Sequence, residues 1–294
     1  MPVKPLSIIM QKNYEAPVNT EGFNRCKKCR YGIMVYNIMD TYIGRSLDLY
    51  GEWAESEMSL LRLFLRPNDV VLDIGSNIGT HTLFFSQVVG PNGKVYAFEP
   101  QRIIFQMLCA NLALNSLQNV YTYHAAIGAQ RGTIITPTLD YKAKMNYGGV
   151  RLGGYQTGEQ VPAIPLDEIE LQSCRLLKID VEGMELSVLK GGCRMIQKFK
   201  PVIYVENNDS TKSSSLINHL VNFGYHLYWH FSPFYNPCNF FQNNTNVFGK
   251  IFDVNMICVP SELTTTDIPY LLKVEGIDET PEAAFERFLC LESR

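Results

Sequence analysis

Val70-Val71-Leu72-Asp73-Ile74-Gly75-Ser76-Asn77-Ile78-Gly79-Thr80-His81-Thr82 decides the fold of this chain. Four of its first five residues are apolar, three of them β-branched, which predicts a strand buried on both faces. A glycine turn follows, and Thr80 opens a helix that runs to Val89. The next strand, Val95 to Glu99, ends on a carboxylate 26 residues after Asp73. Strand, glycine turn and helix, followed by an acidic residue at the next strand end, form the first half of a nucleoside-binding α/β unit.

The spacing of the glycines narrows the ligand. A pyrophosphate site wants G-x-G-x-x-G, because the second glycine lets the backbone approach the phosphates. Here Ser76-Asn77 stands in that place, and Asn77 would crowd a pyrophosphate. A nicotinamide oxidoreductase is therefore disfavoured. The D-x-G-x-N-x-G turn suits S-adenosylmethionine, whose carboxylate can rest on backbone N–H groups at a helix N-terminus and whose ammonium can face Asp73. Asp73, Gly75, Asn77, Gly79 and Glu99 are the cofactor residues on this reading, with Glu99 holding the ribose hydroxyls. Glu52, with Tyr50 and Gly51, closes the far end of the pocket.

The 294 residues suit one large domain with appendages, and 46% hydrophobic content is ordinary for a globular protein. A net charge of -3 gives no general reason to expect nucleic-acid or anionic-membrane binding. No apolar run reaches membrane-spanning length and no signal-peptide layout opens the chain, so the expected location is cytoplasmic. Of the eight cysteines, only Cys26 and Cys29 form a C-x-x-C pair. A closed zinc site needs a second pair or two histidines, so these read as two ordinary thiols in a turn.

Three segments are expected: an N-terminal extension over 1–45, the main domain over 46–262, and an acidic C-terminal tail over 263–294. Within the main domain, strands and helices alternate as in a parallel sheet covered on both faces. The strands include Val120 to His124, Leu176 to Asp180 and Pro201 to Glu206, and two later strands close the sheet edge antiparallel.

With these pieces in order, the chain resembles the FkbM family of S-adenosylmethionine-dependent O-methyltransferases. The likeness rests on VVLDIGSNIGTHTLFF with VYAFEP, on LLKIDVEGMELSVLKGG, and on PVIYVEN, and it covers roughly residues 40 to 260. It implies a Rossmann-like fold with a mostly parallel seven-stranded sheet flanked by helices. It also implies methyl transfer to a hydroxyl, often on a sugar or a secondary metabolite. Many methyltransferases carry an acidic residue at the end of the third strand to contact adenine. Here Ala125 and Ala126 occupy that place, so adenine is read through backbone or neighbouring groups.

Ligands in open α/β sheets gather beyond the carboxyl ends of the strands. Asp73, Glu99, Asp180 and Glu206 all lie at such ends, so four carboxylates should converge on one crevice. An alcohol is a poor nucleophile at neutral pH, and a carboxylate can take its proton. Asp180 is the preferred base and also borders the cofactor; Glu206 is second, and Glu182 either joins them or caps the following helix. Alternatively, Asp180, Glu206 and Asn207 hold Mg²⁺ or Mn²⁺ to polarise the acceptor. His81 lies in the first helical turn, beside the cofactor or on the helix surface, rather than serving as the base.

Asn146, Tyr147 and Arg151 belong to a glycine-rich loop that either reaches over the acceptor or makes a plain hairpin turn. Trp229 and the aromatics after it either stack on a sugar or close the core. The expected partner is a hydroxyl-bearing small molecule or glycan. A non-catalytic module that keeps this fold to bind another protein or domain is the competing reading. The oligomeric state is not legible.

Overall fold

The computed structural model of the chain describes residues 22–263 and 271–292. Residues 1–21 of the expected extension, and 264–270 and 293–294 of the expected tail, lie outside them. An antiparallel hairpin comes first, β1 (Asn24–Cys29) and β2 (Gly32–Asn37), followed by the helices α1 (Ile43–Tyr50) and α2 (Glu55–Arg62). The alternating unit then runs β3 (Val70–Ile74), α3 (Thr80–Val89), β4 (Lys94–Phe98), α4 (Arg102–Leu114) and β5 (Val120–Tyr123). The short strands β6 (Ala126–Ile127), β7 (Gly132–Thr136) and β8 (Glu159–Ile164) form a separate sheet at one side.

The main unit resumes with β9 (Leu176–Ile179), α5 (Glu185–Lys190), α6 (Cys193–Phe199), β10 (Val202–Glu206) and α7 (Ser210–Asn222). It ends in β11 (Tyr225–Pro233), β12 (Phe252–Pro260), β13 (Leu272–Lys273) and α8 (Pro281–Glu292).

The main sheet has the order β13-β11-β12-β10-β9-β3-β4-β5. The five strands from β10 to β5 are parallel and the last three pair antiparallel, so the fold is Rossmann-like α/β. Seven strands are as expected. The eighth, β13, is a two-residue addition from the C-terminal segment that pairs with β11. β3, β9 and β10 carry buried residues almost throughout, as strands covered on both faces must. Asn111 on α4 and Asn115 just after its end tie the hairpin to the domain: their amides bond both N–H and C=O of Val35 and of Ile33. Cys29 is buried among apolar residues at the end of β1, and among the described residues no metal-ligating group joins it and Cys26.

Two glycine features set the crevice at the carboxyl end of the sheet. Gly75 has φ +78°, and a Cβ on it would stand 1.7 Å from the Asp180 carbonyl oxygen. Only glycine lets the turns after β3 and β9 close on each other there. Glu182 and Gly183 also take positive φ, +52° and +98°, so the chain leaves β9 through a constrained turn.

Candidate active site

A cavity of about 350 Å³ opens at the carboxyl end of the parallel strands. One wall is the glycine turn and the start of α3, with Gly75, Ser76, Asn77, Thr80 and His81. Glu99 closes a second side, and Asp180, Glu182, Glu206 and Asp253 form the acidic opposite wall. A narrow apolar slot shares Gly75, Pro100, Leu152 and Val181 with this cavity and is floored by Phe98, Ala125 and Ala126.

Glu99 is buried and accepts backbone N–H bonds from Gln101 at 2.7 Å and Asn77 at 3.0 Å. Burial pushes its carboxyl up to about 7; the two N–H bonds pull the other way, and the charges of Asp180 and Asp73 add to the rise. A carboxylate so placed gains from further O–H donors, which a ribose diol provides. Asn77 reaches this geometry with φ +49°, a conformation asparagine tolerates better than most residues.

The acidic wall is built from three strand ends. Asp180, Glu182 and Glu206 each bring a carboxylate oxygen within 4.8 Å of the others. Burial, then the charges of Asp180 and Glu185, raises Glu182 to about 8. Burial and the same neighbours push Glu206 well above the carboxylate range, and Asp253 follows for like reasons. Asp180 differs. Its side chain is 43% exposed, and Lys178 donates to it at 3.1 Å. Lys178 is buried and also stands 3.7 Å from Asp73, and these carboxylates outweigh burial to hold its ammonium charged.

The remaining expected residues fall into two groups. Asn146 lines the cavity, and Arg151 lies between the lining residues Val150 and Leu152, largely exposed, with Asp209 at 3.4 Å. The others are removed from the cavity surface. Asp73 is fully buried behind the turn, accepting from the Thr82 hydroxyl at 2.6 Å, so it faces Lys178 and not an ammonium ligand.

Glu52 is spent on Arg30, Asn236 and the Phe240 N–H, and clamps the hairpin to the 236–240 loop. Tyr147 is fully buried, its hydroxyl donating to the carbonyls of Asp140 and Ala143. Trp229 is 1% exposed in the core, with its indole N–H on Glu279. Asn207 turns to Ser213 and Met256, away from Asp180, and Glu182 takes its place in the acidic cluster. The N–H of Gly183 at the entrance to α5 is bonded by Glu185 rather than Glu182.

Sequence reading missed Glu57, Trp53, Asp253 and Asn255, which line the cavity together with Phe234, one of the aromatics after Trp229. Glu57 came from the first turn of α2, where an acidic residue is ordinary. Asp253 and Asn255 lie on β12, whose antiparallel pairing brings Asn255 opposite Glu206. No local motif marks them.

Comparison with known proteins gives the family of the chain. The model of the methyltransferase FkbM domain matches residues 73–227. Methyltransferase sdnD of Sordaria araneosa is 31% identical over 160 residues, 43% of this chain and 61% of that protein, so the match spans less than two thirds of the relative's length. Hexuronic acid methyltransferase AglP of Haloferax volcanii is 31% identical over 179 residues, 58% of this chain and 70% of that one. A solved FkbM methyltransferase from Methylobacillus flagellatus aligns with 69% of this chain and 50% of its own, at 17% identity and a TM-score of 0.42. No helix among the described residues is long and apolar enough to cross a membrane.

Proposed function

The chain belongs to the FkbM methyltransferase family, and from that premise we propose that it transfers the methyl group of S-adenosylmethionine to a hydroxyl of a sugar. The single observation that carries this reading is the shared crevice: Glu99 and the glycine turn on one side, the Asp180 wall on the other, both lining one cavity. The apolar slot over Ala125 and Ala126 adjoins the cavity beside Glu99, and it is the side on which we place the adenine end. Glu99 fits the ribose.

When bound, this cofactor supplies a methyl group already activated on a sulfonium, so the protein has to align the acceptor oxygen and receive its proton. Asp180 is suited to that part. It is the most exposed carboxylate of the wall, and the Lys178 ammonium holds one of its oxygens while leaving the other to meet a hydroxyl. Glu182, raised to about 8, holds its proton near neutral pH and serves as a hydrogen-bond donor to the acceptor, and burial pushes Glu206 in the same direction. A positioned base contributes about 10²–10⁴-fold.

The likeness to AglP, named for hexuronic acid, supports a sugar acceptor. A uronate carboxylate would be repelled by the acidic wall, so it belongs near Arg151, largely exposed between the lining residues Val150 and Leu152. Incubation with methyl-labelled S-adenosylmethionine and a panel of hexuronates and neutral sugars tests the reading. Label in a hydroxyl of one sugar class supports it; cofactor binding without transfer to any acceptor favours the non-catalytic module.

A second reading keeps the transfer and adds Mg²⁺ or Mn²⁺ on Asp180, Glu182 and Glu206, and it is favoured by the convergence of their oxygens. Loss of transfer in a chelator, restored by the ion, would select it.

A further inference from the structure

His81 stands out among the cavity residues that this mechanism leaves unused. It is the second residue of α3, directly after the glycine turn, and it lines the cavity while nearly all of its surface is buried. Its Nε2 is 3.0 Å from the Glu57 carboxylate. The other Glu57 oxygen accepts from Asn255 at 3.1 Å, so the carboxylate is held from both sides. Burial alone would raise the Glu57 carboxyl, but the His81 bond and the charges of His81, His230 and Lys178 outweigh it and keep Glu57 below its ordinary range. An ionised, fixed carboxylate therefore orients the imidazole through Nε2, and Nδ1 has no protein partner among the described residues.

Charge around the cavity says what this imidazole is for. Among the described residues, Lys178 and His81 are the basic side chains that line the cavity, and Lys178 is committed to Asp73 and Asp180. The opposite wall is acidic. A ligand with a carboxylate of its own has the His81 imidazole left to meet, at the end of the cavity where α3 begins.

We propose that His81, held by Glu57, is the residue that takes the carboxylate at the amino-acid end of the cofactor. This rests on the S-adenosylmethionine reading and adds a direction to it. The adenine end lies over Ala125 and the amino-acid end over Thr80 and His81, which leaves the methyl group between them, facing Asp180. Glu57 is a positioning residue: it touches His81 and not the ligand.

Calorimetry with S-adenosylhomocysteine and its decarboxylated analogue tests the proposal. The two share everything but the carboxylate, so a change that is merely structural moves both affinities together. The wild-type protein is expected to prefer the intact ligand by about ten- to hundredfold, the range of a hydrogen bond to a charged group. His81→Gln and, independently, Glu57→Gln should compress that ratio toward one while leaving the analogue's affinity in place. Equal binding of both ligands by the wild type would overturn the proposal and leave the cofactor reading standing. An unchanged ratio in His81→Gln would also overturn it and return the imidazole to the acceptor side. Failure of the wild type to bind either ligand would remove the cofactor reading and this proposal together.

Discussion

Lys178 and Asp180 lie two residues apart where β9 ends, point to the same side of the sheet, and meet at 3.1 Å, with the same ammonium 3.7 Å from Asp73. One buried cation thus joins a wholly buried carboxylate to one that faces the cavity. Period-two alternation along a strand makes this possible, and the parallel pairing of β3 with β9, which sets Asp73 opposite Lys178, completes it.

Lys178→Met should therefore destabilise the fold by about 3–5 kcal/mol, because it strands the Asp73 carboxylate in the core. Adding Asp73→Asn should recover part of the loss. Denaturant unfolding of the three proteins measures this. A cost near zero for the single variant would show that Asp73 is not held by the lysine.

Asp180→Asn keeps the shape of the wall and removes the proton acceptor. Methyl transfer to any accepted sugar should fall about 10²–10⁴-fold, with far less change in S-adenosylhomocysteine affinity. Single-turnover rates and binding, measured side by side, separate the two. Parallel losses in both would make Asp180 a cofactor ligand and nothing more.

Gly75→Ala places a methyl group against the Asp180 carbonyl oxygen in a backbone conformation that alanine avoids. It should disturb both turns at once, lowering the melting temperature and abolishing cofactor binding. Retention of wild-type affinity would mean that the two turns do not need their close approach.

The acidic wall makes a prediction about pH. Glu182, raised to about 8, and Glu206 and Asp253, raised in the same direction, bind protons more tightly in the folded chain than in the unfolded one. Their contribution to stability is complete below the ordinary carboxylate range and is lost as pH rises through about 8. The melting temperature of the free protein should fall across that interval, and Glu182→Gln should flatten the fall. A melting temperature that rises through the same interval would contradict the proton-sharing wall.

Much of this was legible in the sequence because it is local. The run Val70 to Ile74, the glycine turn and the carboxylate at Glu99 are consecutive signals, and the parallel sheet follows from their repetition. What was not legible depends on pairing across long separations. Asp253 and Asn255 enter the cavity only because β12 returns antiparallel beside β10. Glu57 enters because α2 packs against α3, and no motif records that contact. Trp229 reads from sequence either as a ring for stacking on sugar or as a core residue, and alternation on β11 and the cover of α8 select the core, where Glu279 takes its N–H. The two-residue β13 is too short to carry a pattern of its own.

The most direct test is titration of the wild-type protein and Glu99→Gln with S-adenosylhomocysteine by calorimetry, on both sides of pH 7. Burial sets the Glu99 carboxyl at about 7, and only its ionised form accepts two ribose hydroxyls, so wild-type affinity should be full above that pH and weaken below it. Glu99→Gln should bind about ten- to hundredfold more weakly at the higher pH and show little of this pH dependence. No binding by the wild type, or equal binding by the variant at both pH values, would contradict the assignment of this crevice to the cofactor.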